Sequence, residues 1–259
     1  MNRAGLFVAL AVAVVSGVVF GVFAGLDVLV ARRFLDLVPG PFSFSLRFNP
    51  TVMTLRDLSI WLVALLAAPA VAALALKIAL PRRRMLLPGR AAVFLLVTLA
   101  LGPGVIANGL LKEYWGRPRP IDVVSLGGNQ TFVAWWDPRG NCPTNCSFVS
   151  GDISSAFWTL APAALAPPAW RALTYGAAVA FGIGVSLLRM AAGAHFVTDA
   201  IFAGVFTFLI AWAVHGALYR WPRTRLTDDD VEHAIERVAL PPHDYVLGLF
   251  GRRPSRPEP

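Results

Sequence analysis

Charged residues are scarce in this chain. Asp, Glu, Lys and Arg make up 15% of its 259 residues, whereas a soluble domain contains about 25%. The mean hydropathy is +0.62, and the charges gather in short clusters between long apolar runs. Because a bilayer core needs about 20 consecutive apolar residues per helix, this pattern indicates a membrane protein and argues against a soluble globular domain.

Three further absences each weigh against a class of protein or segment. No stretch interleaves basic with aromatic residues, so the net charge of +8 favours contact with anionic lipid headgroups over nucleic-acid binding. No internal repeat or mid-membrane chain of charges is visible, which makes a transporter a weak alternative. No clear cleavage site follows the first apolar run, which is too long for a signal peptide and is expected to remain as a helix.

Cysteine is also rare, with two residues in the chain, Cys142 and Cys146. They have no nearby histidine and would make a poor zinc site, and we expect neither a metal nor a cofactor. A free pair in a reducing compartment would favour a metal or redox role. On an oxidising side of a membrane the spacing suits a local disulfide, which is the interpretation we prefer.

The apolar runs predict an all-α fold, a bundle of six membrane-spanning helices. Their expected ranges are residues 5–26, 60–80, 91–111, 153–169, 172–192 and 197–218. The fourth run is short and contains Pro162, Pro167 and Pro168, so it should pack inside the bundle, where neighbours can satisfy the freed carbonyls. Residues 1–219 then form one membrane domain, and residues 220–259 form a tail with a short helix followed by disorder.

The arginines set the predicted orientation. With the N-terminus inside, the compact run at residues 82–84 faces the cytoplasm, as the positive-inside rule prefers. Both termini are then cytoplasmic, in a bacterial inner (cell) membrane, and the loops after the first and third spans are periplasmic. The first of these loops has apolar residues that predict a short interfacial amphipathic helix: Leu29, Phe34, Leu35 and Leu37.

Three polar segments should meet at the periplasmic face, because an even number of crossings separates the first from the last. They end the third predicted span, enter the fourth, and connect the fifth to the sixth. Together they contain eight residues suited to phosphate chemistry: Lys112, Arg119, Ser150, Gly151, Asp152, Arg189, His195 and Asp199. The remaining histidines fall on the inner side, and we assign them no catalytic role: His215, His233 and His243.

The chemistry of these groups fits a phosphate. Lys112, Arg119 and Arg189 can bind its oxygens through charge-assisted hydrogen bonds. The amides of Ser150 and Gly151 lie at the start of a predicted helix, whose dipole favours an anion. His195 and Asp199 stand four residues apart, so the carboxylate could hold one ring nitrogen and leave the other free to attack. Singly, such residues are more often membrane anchors, helix caps or structural histidines. Their conjunction near the membrane favours a functional site.

In spacing, these motifs resemble the type 2 phosphatidic acid phosphatase (PAP2) family, whose site is similar to that of vanadium haloperoxidases. Lys112, six residues, then Arg119-Pro120 matches the family's first motif, and Arg189, five residues, His195, three residues, Asp199 matches its third. The resemblance covers about residues 91–213 and agrees with a six-helix layout. It implies that His195 attacks phosphorus to form a phosphohistidine while Asp199 orients it.

The sequence departs from the family pattern at two places. Leu188 replaces the serine before Arg189, and Asp152 replaces the histidine of the Pro-Ser-Gly-His motif. That histidine protonates the leaving group in the family, so Asp152 becomes the candidate acid if burial raises its pKa. The stretch from Cys142 through the Ser-Gly-acidic segment resembles the bacterial branch that includes lipid A 4′-phosphatases.

The resemblance implies hydrolysis of a lipid phosphate monoester at the periplasmic face. Expected substrates are lipid A, phosphatidic acid, phosphatidylglycerol phosphate or a polyprenyl phosphate. Two alternatives use the same scaffold: a polyprenyl diphosphate phosphatase, whose better leaving group needs less acid, and a lipid phosphotransferase. A third is a phospholipid-binding protein that kept the cations and lost turnover, which the change at Asp152 supports.

Overall fold

The computed structural model describes residues 1–36 and 44–249. Leu37 of the predicted interfacial helix, and residues 250–259 of the predicted tail, lie outside this part. Helices dominate the described residues, which contain no β-strand beyond an isolated bridge between Val123 and Gln130. The principal helices are α1 (Arg3–Val22), α2 (Gly25–Asp36), α3 (Pro50–Ala79), α4 (Gly89–Tyr114), α5 (Gly151–Trp158), α6 (Leu160–Leu165), α7 (Arg171–Ala191), α8 (Val197–Arg220) and α9 (Asp228–Leu249).

Five of these helices are long and apolar enough to cross a membrane: α1, α3, α4, α7 and α8. The fourth predicted span is instead the pair of short helices α5 and α6. The two helices are separated at Thr159, whose hydroxyl and amide both bond to the carbonyl of Ala156. Pro162 contributes to this break because it has no N–H for the carbonyl of Trp158, four residues earlier. Helix α6 ends at Leu165, ahead of Pro167 and Pro168.

The α5–α6 pair is packed inside the bundle, as the prolines predict. Helix α5 contacts α4, α7 and α8, and Trp158 at its end is fully buried. The Trp158 indole donates to Thr98 Oγ1 at 3.0 Å and to the carbonyl of Leu95 at 3.2 Å. These bonds tie the indole N–H at the C-terminal end of α5 to α4.

The second half of α4 has π-helical geometry over Ala100–Leu111. Pro103 lies in this stretch and cannot donate to a carbonyl of the preceding turn. The side chain of Asn108 donates to the carbonyl of Pro103 at 2.7 Å, which satisfies one backbone acceptor. The altered winding determines the direction in which the end of α4, with Lys112, projects.

Helix α9 docks on the ends of α3 and α4. Buried Lys77 pairs with Glu232 at 3.1 Å and with Glu236 at 3.3 Å. Two more ion pairs join the same elements, Arg82 with Asp244 and Arg90 with Asp228. The helix predicted in the tail is therefore present, it extends to Leu249, and it is tied to the membrane helices.

A small layer of chain covers the opposite end of the bundle. Helix α2 forms where the sequence predicts an interfacial helix, and Phe34 and Leu35 pack against a cluster that includes buried Phe44 and Phe196. Residues 44–48 lead from this cluster into α3. This layer lies over the loop that carries His195.

Candidate active site

His195 lies in the short loop between α7 and α8, and its side chain is buried. Its Nδ1 is 2.8 Å from the backbone carbonyl oxygen of Ser147. Because a carbonyl only accepts, Nδ1 carries the proton and the lone pair of the neutral ring lies on Nε2. Burial lowers the pKa of His195, although Asp199 opposes this. The ring is therefore neutral at pH 7, and Nε2 has the protonation state of a nucleophile.

Asp199 supports the loop more directly than it supports the imidazole. Its Oδ2 is 3.8 Å from His195 Nδ1, which is too long for the hydrogen bond that the spacing predicts. Instead the carboxylate accepts from the Ser147 hydroxyl and from the Phe196 amide, the latter at 2.7 Å. Asp199 thus fixes the two backbone segments between which the ring is held, and Ser147 supplies the direct contact to His195.

Arg117 is a member of this network that sequence reasoning missed. Its fully buried guanidinium bonds to Asp199 Oδ1 at 2.5 Å, to Thr198 Oγ1 at 2.8 Å and to Asp27 Oδ2 at 2.8 Å. Asp27 of α2 also accepts from the amide and hydroxyl of Thr198. The only sequence signal was an arginine within the Lys112–Arg119 motif, which gives no indication of burial.

Asp152 is an ion-pair bridge at the start of α5. Its Oδ2 is 3.0 Å from Arg56 Nε, to which it is hydrogen-bonded, and 3.1 Å from Arg189 Nε, where the contact is an ion pair without hydrogen-bond alignment. Burial raises the pKa of Asp152, but Arg189 and Arg56 outweigh it and hold the pKa below its usual value. The carboxyl is therefore ionised without substrate, contrary to the protonated form that an acid requires. Arg56 was not predicted as a site residue.

Lys112, Ser150 and Gly151 meet around Asn108. Lys112 Nζ is 3.5 Å from Asn108 Oδ1. A Cβ on Gly151 would lie 2.2 Å from the same oxygen, so glycine allows the two helices this close approach. Ser150 caps α5 by accepting from the amide of Ile153 at 3.3 Å. The first amides of α5 thus lie near Lys112, as an anion site at this helix start requires.

Arg119 is held by a disulfide-closed loop. Cys142 and Cys146 are joined by a disulfide, with their Cα atoms 5.7 Å apart. Within this loop, the carbonyl and side-chain oxygens of Asn145 both accept from Arg119 Nη2 at 2.8 Å. The loop is itself bound to the first motif, since Cys146 N donates to the Lys112 carbonyl at 2.9 Å.

A cavity of about 270 Å³ adjoins the loop that carries His195. Four arginines line it: Arg47, Arg56, Arg119 and Arg189. Ala194, the neighbour of His195, also lines it, as does Leu188, which departs from the family pattern. Leu188 also borders an apolar groove between α3 and α7, so the arginine cavity and this groove adjoin.

All eight predicted site residues thus lie in one region around the N-terminus of α5. No group of three or more His, Cys, Asp and Glu residues that could hold a metal ion occurs within residues 1–36 and 44–249. The region combines a neutral histidine, one bridging carboxylate and several cations beside a cavity that could hold an anion.

Comparison with known proteins assigns this arrangement to a family. The model of the PAP2 superfamily matches residues 91–225, which include the eight predicted site residues and more than half of the chain. The chain belongs to the PAP2 superfamily. Arg47, Arg56 and Asp27 lie outside the matched PAP2 region, on chain that precedes it.

Curated relatives of this PAP2 protein share a name. Lipid A 4′-phosphatase of Francisella tularensis subsp. novicida is 39% identical over 132 residues, covering 51% of this chain and 60% of that protein. Lipid A 4′-phosphatase of Rhizobium leguminosarum is 37% identical over 121 residues, covering 47% of this chain and 52% of its own. The chain therefore matches about half to three fifths of the length of these relatives. No solved structure matches it significantly.

Proposed function

We propose that this protein hydrolyses a lipid phosphate monoester at the periplasmic face of a bacterial inner membrane. The observation that carries the proposal is buried His195, neutral and with its lone pair on Nε2, next to a cavity lined by Arg119 and Arg189. The names of the relatives favour lipid A carrying a 4′-phosphate as the substrate. Phosphatidic acid, phosphatidylglycerol phosphate and polyprenyl phosphates offer the same group.

In the proposed mechanism, His195 Nε2 attacks phosphorus, the P–N bond forms and the P–O bond to the lipid breaks. The positive charge that develops on the ring is stabilised through Nδ1–H by the Ser147 carbonyl, at 2.8 Å. Lys112, Arg119, Arg189 and the first amides of α5 hold the equatorial oxygens as their charge grows. Water then cleaves the phosphohistidine, which releases phosphate and restores the neutral histidine.

The leaving alkoxide needs a proton, and Asp152 is the candidate donor. Its carboxyl is ionised while it pairs with Arg56 and Arg189. When an incoming dianion takes Arg189 as its own partner, the carboxyl loses a stabilising charge and gains a repelling one, and both effects raise its pKa. Substrate binding itself would then protonate Asp152 before the bond to the lipid breaks.

The apolar groove between α3 and α7 supports a lipid as the substrate. It has a volume of about 370 Å³ and is lined chiefly by apolar residues of the two helices. Because it adjoins the arginine cavity at Leu188, a headgroup phosphate can occupy the cavity while an acyl chain lies along the groove.

A diphosphatase acting on a polyprenyl carrier is a second candidate. The ionised state of Asp152 favours it, because a phosphate leaving group needs less protonation than an alkoxide. The two candidates differ in the bond that is broken and share the nucleophile and the cations.

Phosphate release from detergent-purified full-length protein tests the proposal. The panel contains lipid A, phosphatidic acid, phosphatidylglycerol phosphate and undecaprenyl pyrophosphate. We expect release from a monoester, loss of at least about a thousandfold in His195→Ala, and normal activity in the matched control His233→Ala, whose side chain is exposed on α9. Turnover in His195→Ala within about tenfold of wild type would remove His195 as the nucleophile, and release from undecaprenyl pyrophosphate alone would select the second candidate.

A further inference from the structure

Two of the four arginines in the cavity have no place in the mechanism as a nucleophile, an acid or a ligand of the scissile phosphate. Arg47 and Arg56 come from residues 44–56, on chain outside the PAP2 match, whereas Arg119 and Arg189 belong to the family motifs. Val52 and Met53 complete their side of the cavity, and Ile121, Leu188 and Ala192 contribute to the other. The cavity therefore has one cationic wall from the motifs and another from the outer segment.

The position of the outer wall is fixed relative to His195. Phe44, three residues before Arg47, is buried, and its ring rests on Gly193, two residues before His195. A Cβ on Gly193 would lie 2.5 Å from that ring, and the glycine has a φ of +65°, so a side chain is excluded both by space and by backbone conformation. Asn49 caps α3 by accepting from Thr51 N at 2.9 Å, which sets the direction in which α3 carries Arg56.

No ion pair joins Arg47 to a side chain of residues 1–35 or 44–249. The ion pairs of Arg56 go to Asp152 and, at 3.7 Å, to exposed Asp57. Burial lowers the pKa of Arg119; Asp122 opposes this and the positive charge of Arg47 adds to it. Arg47 and Arg119 are thus close enough to repel each other, and an anion between them would relieve that repulsion.

The volume of the cavity exceeds what one phosphate group requires. A space of about 270 Å³ approaches the roughly 300 Å³ at which pockets begin to hold drug-sized ligands, whereas a phosphate has five heavy atoms. The three equatorial oxygens of the scissile group already have Lys112, Arg119, Arg189 and the amides of α5 as partners in the proposed mechanism.

We propose that Arg47 and Arg56 form a subsite for a second anionic group of the substrate, a phosphate or carboxylate carried close to the scissile phosphate. This inference rests on the proposed function and deepens it, because it names a headgroup with two neighbouring acidic groups as the preferred class. Arg47 supplies a charge that no side chain of residues 1–35 or 44–249 neutralises in an ion pair, and the Arg56 guanidinium is released when Asp152 takes up a proton. Arginine suits either acid, since its planar fork matches both carboxylate and phosphate.

Binding of three small ligands that share a three-carbon backbone tests the subsite without any turnover. Glycerol 3-phosphate has one acidic group, 3-phosphoglycerate adds a carboxylate, and glycerol 1,3-bisphosphate adds a phosphate. Calorimetric titration uses full-length His195→Ala in detergent, in which the ligands are not consumed. We expect at least one of the two-anion ligands to bind about tenfold more tightly than glycerol 3-phosphate, as one added charge-assisted contact would give.

Substitution of the two arginines then tests whether they cause the preference for two-anion ligands. Adding Arg47→Gln should bring the two-anion ligands within about twofold of glycerol 3-phosphate, and Arg56→Gln should act in the same direction. The matched control is Arg139→Gln, an arginine with 79% of its side chain exposed and paired with Asp137, which should keep the preference. Tighter binding of 3-phosphoglycerate alone identifies a carboxylate as the second group, and tighter binding of the bisphosphate alone identifies a phosphate.

Two results would overturn the subsite. One is equal or absent binding of all three ligands to the His195→Ala parent, and the other is a preference that Arg47→Gln leaves unchanged. Failure of the proposed function has a different signature: protein with His195 intact would release no phosphate from any lipid of the panel, while the two-anion preference and its dependence on Arg47 persisted.

Discussion

Arg117 places a full positive charge inside the protein, between the carboxylates of Asp27 and Asp199. Its guanidinium also stacks 4.5 Å above the ring of Phe196, the residue that follows His195. Phe196, Thr198 and Asp199, which lead from His195 into α8, thus all contact a single side chain. Such a buried pair adds little net stability over an apolar core, yet it is costly to break from one side.

We expect Arg117→Met to lower the free energy of unfolding by about 3–5 kcal/mol, because it leaves two buried carboxylates without a cationic partner. Arg117→Lys should recover only part of the loss, since an ammonium lacks the planar fork that bonds both acids. The measurement is the midpoint of thermal unfolding in detergent, with exposed Arg139→Met as the control. An Arg117→Met midpoint equal to that of the control would contradict a structural role.

The variant Asp152→Asn distinguishes two possible roles of this residue, a general acid and a counter-ion. If Asp152 donates the proton, the variant should lose about a hundredfold or more on a lipid with an alkoxide leaving group, and far less on p-nitrophenyl phosphate. Because the acid must be protonated in the complex, kcat on the lipid should fall as pH rises in wild type, and this alkaline limb should be absent from the variant. Equal losses on both substrates would make Asp152 an ion-pair bridge between Arg56 and Arg189 with no role as a proton donor.

Residue spacing predicted which side chains lie together because the candidate site is made of short motifs. Lys112 and Arg119 lie at or just beyond the end of α4, and Arg189 and His195 lie at or just beyond the end of α7. Residues this close in sequence also lie close in space. The contacts between motifs could not be read in the same way. The partner of His195 Nδ1 is a backbone carbonyl, that of Ser147, which carries no side-chain signal. Arg47 and Arg56 lie well before the first motif in sequence, and only the fold brings them to the cavity.

At the scale of elements, the disulfide loop is the support for Arg119. It encloses Asn145, which holds the guanidinium through two oxygens, and it is bonded to the backbone of the first motif. The loop belongs to no helix, so the disulfide and these bonds determine its position.

We expect the double variant Cys142→Ser/Cys146→Ser to lower kcat/KM on the lipid about tenfold, mainly through KM, because Arg119 loses its fixed partner. Asn145→Ala, with the disulfide intact, should give a loss of the same kind. Mass spectrometry after alkylation without reduction checks the bond in wild type. Added mass on Cys142 and Cys146 would show free thiols, and unchanged KM in both variants would mean that Arg119 needs no such support.

The element that sequence reasoning described least well is the fourth apolar run. Its apolar composition predicts one span, but Pro162 and the turn at Thr159 divide it into α5 and α6. Hydropathy measures whether residues avoid water, and burial among other helices satisfies that condition as well as lipid does. The prolines did predict correctly that the segment lies inside the bundle, because they report on backbone hydrogen bonds and not on polarity.

At the scale of the whole molecule, the predicted orientation in the membrane rests on the positive-inside rule, applied to the two ends of the bundle. Residues 82–84 and α9 occupy the end where Lys77, Arg82 and Arg90 form ion pairs, and the candidate active site occupies the end with the disulfide. We expect a membrane-impermeant thiol reagent applied to intact cells, after removal of the outer membrane, to label Arg139→Cys and not Arg83→Cys. Both positions are exposed, so the opposite labelling pattern would invert the topology.

The shared border at Leu188 between the arginine cavity and the apolar groove has a kinetic consequence. A lipid that reaches the site along this groove arrives by diffusion in two dimensions, within the leaflet. The concentration that governs its encounter with His195 is then its mole fraction among neighbouring lipids, and not its molarity in the sample. Diluting the substrate with an inert lipid at constant total amount should slow the reaction, whereas enlarging the aqueous volume around the same membranes should leave the rate unchanged.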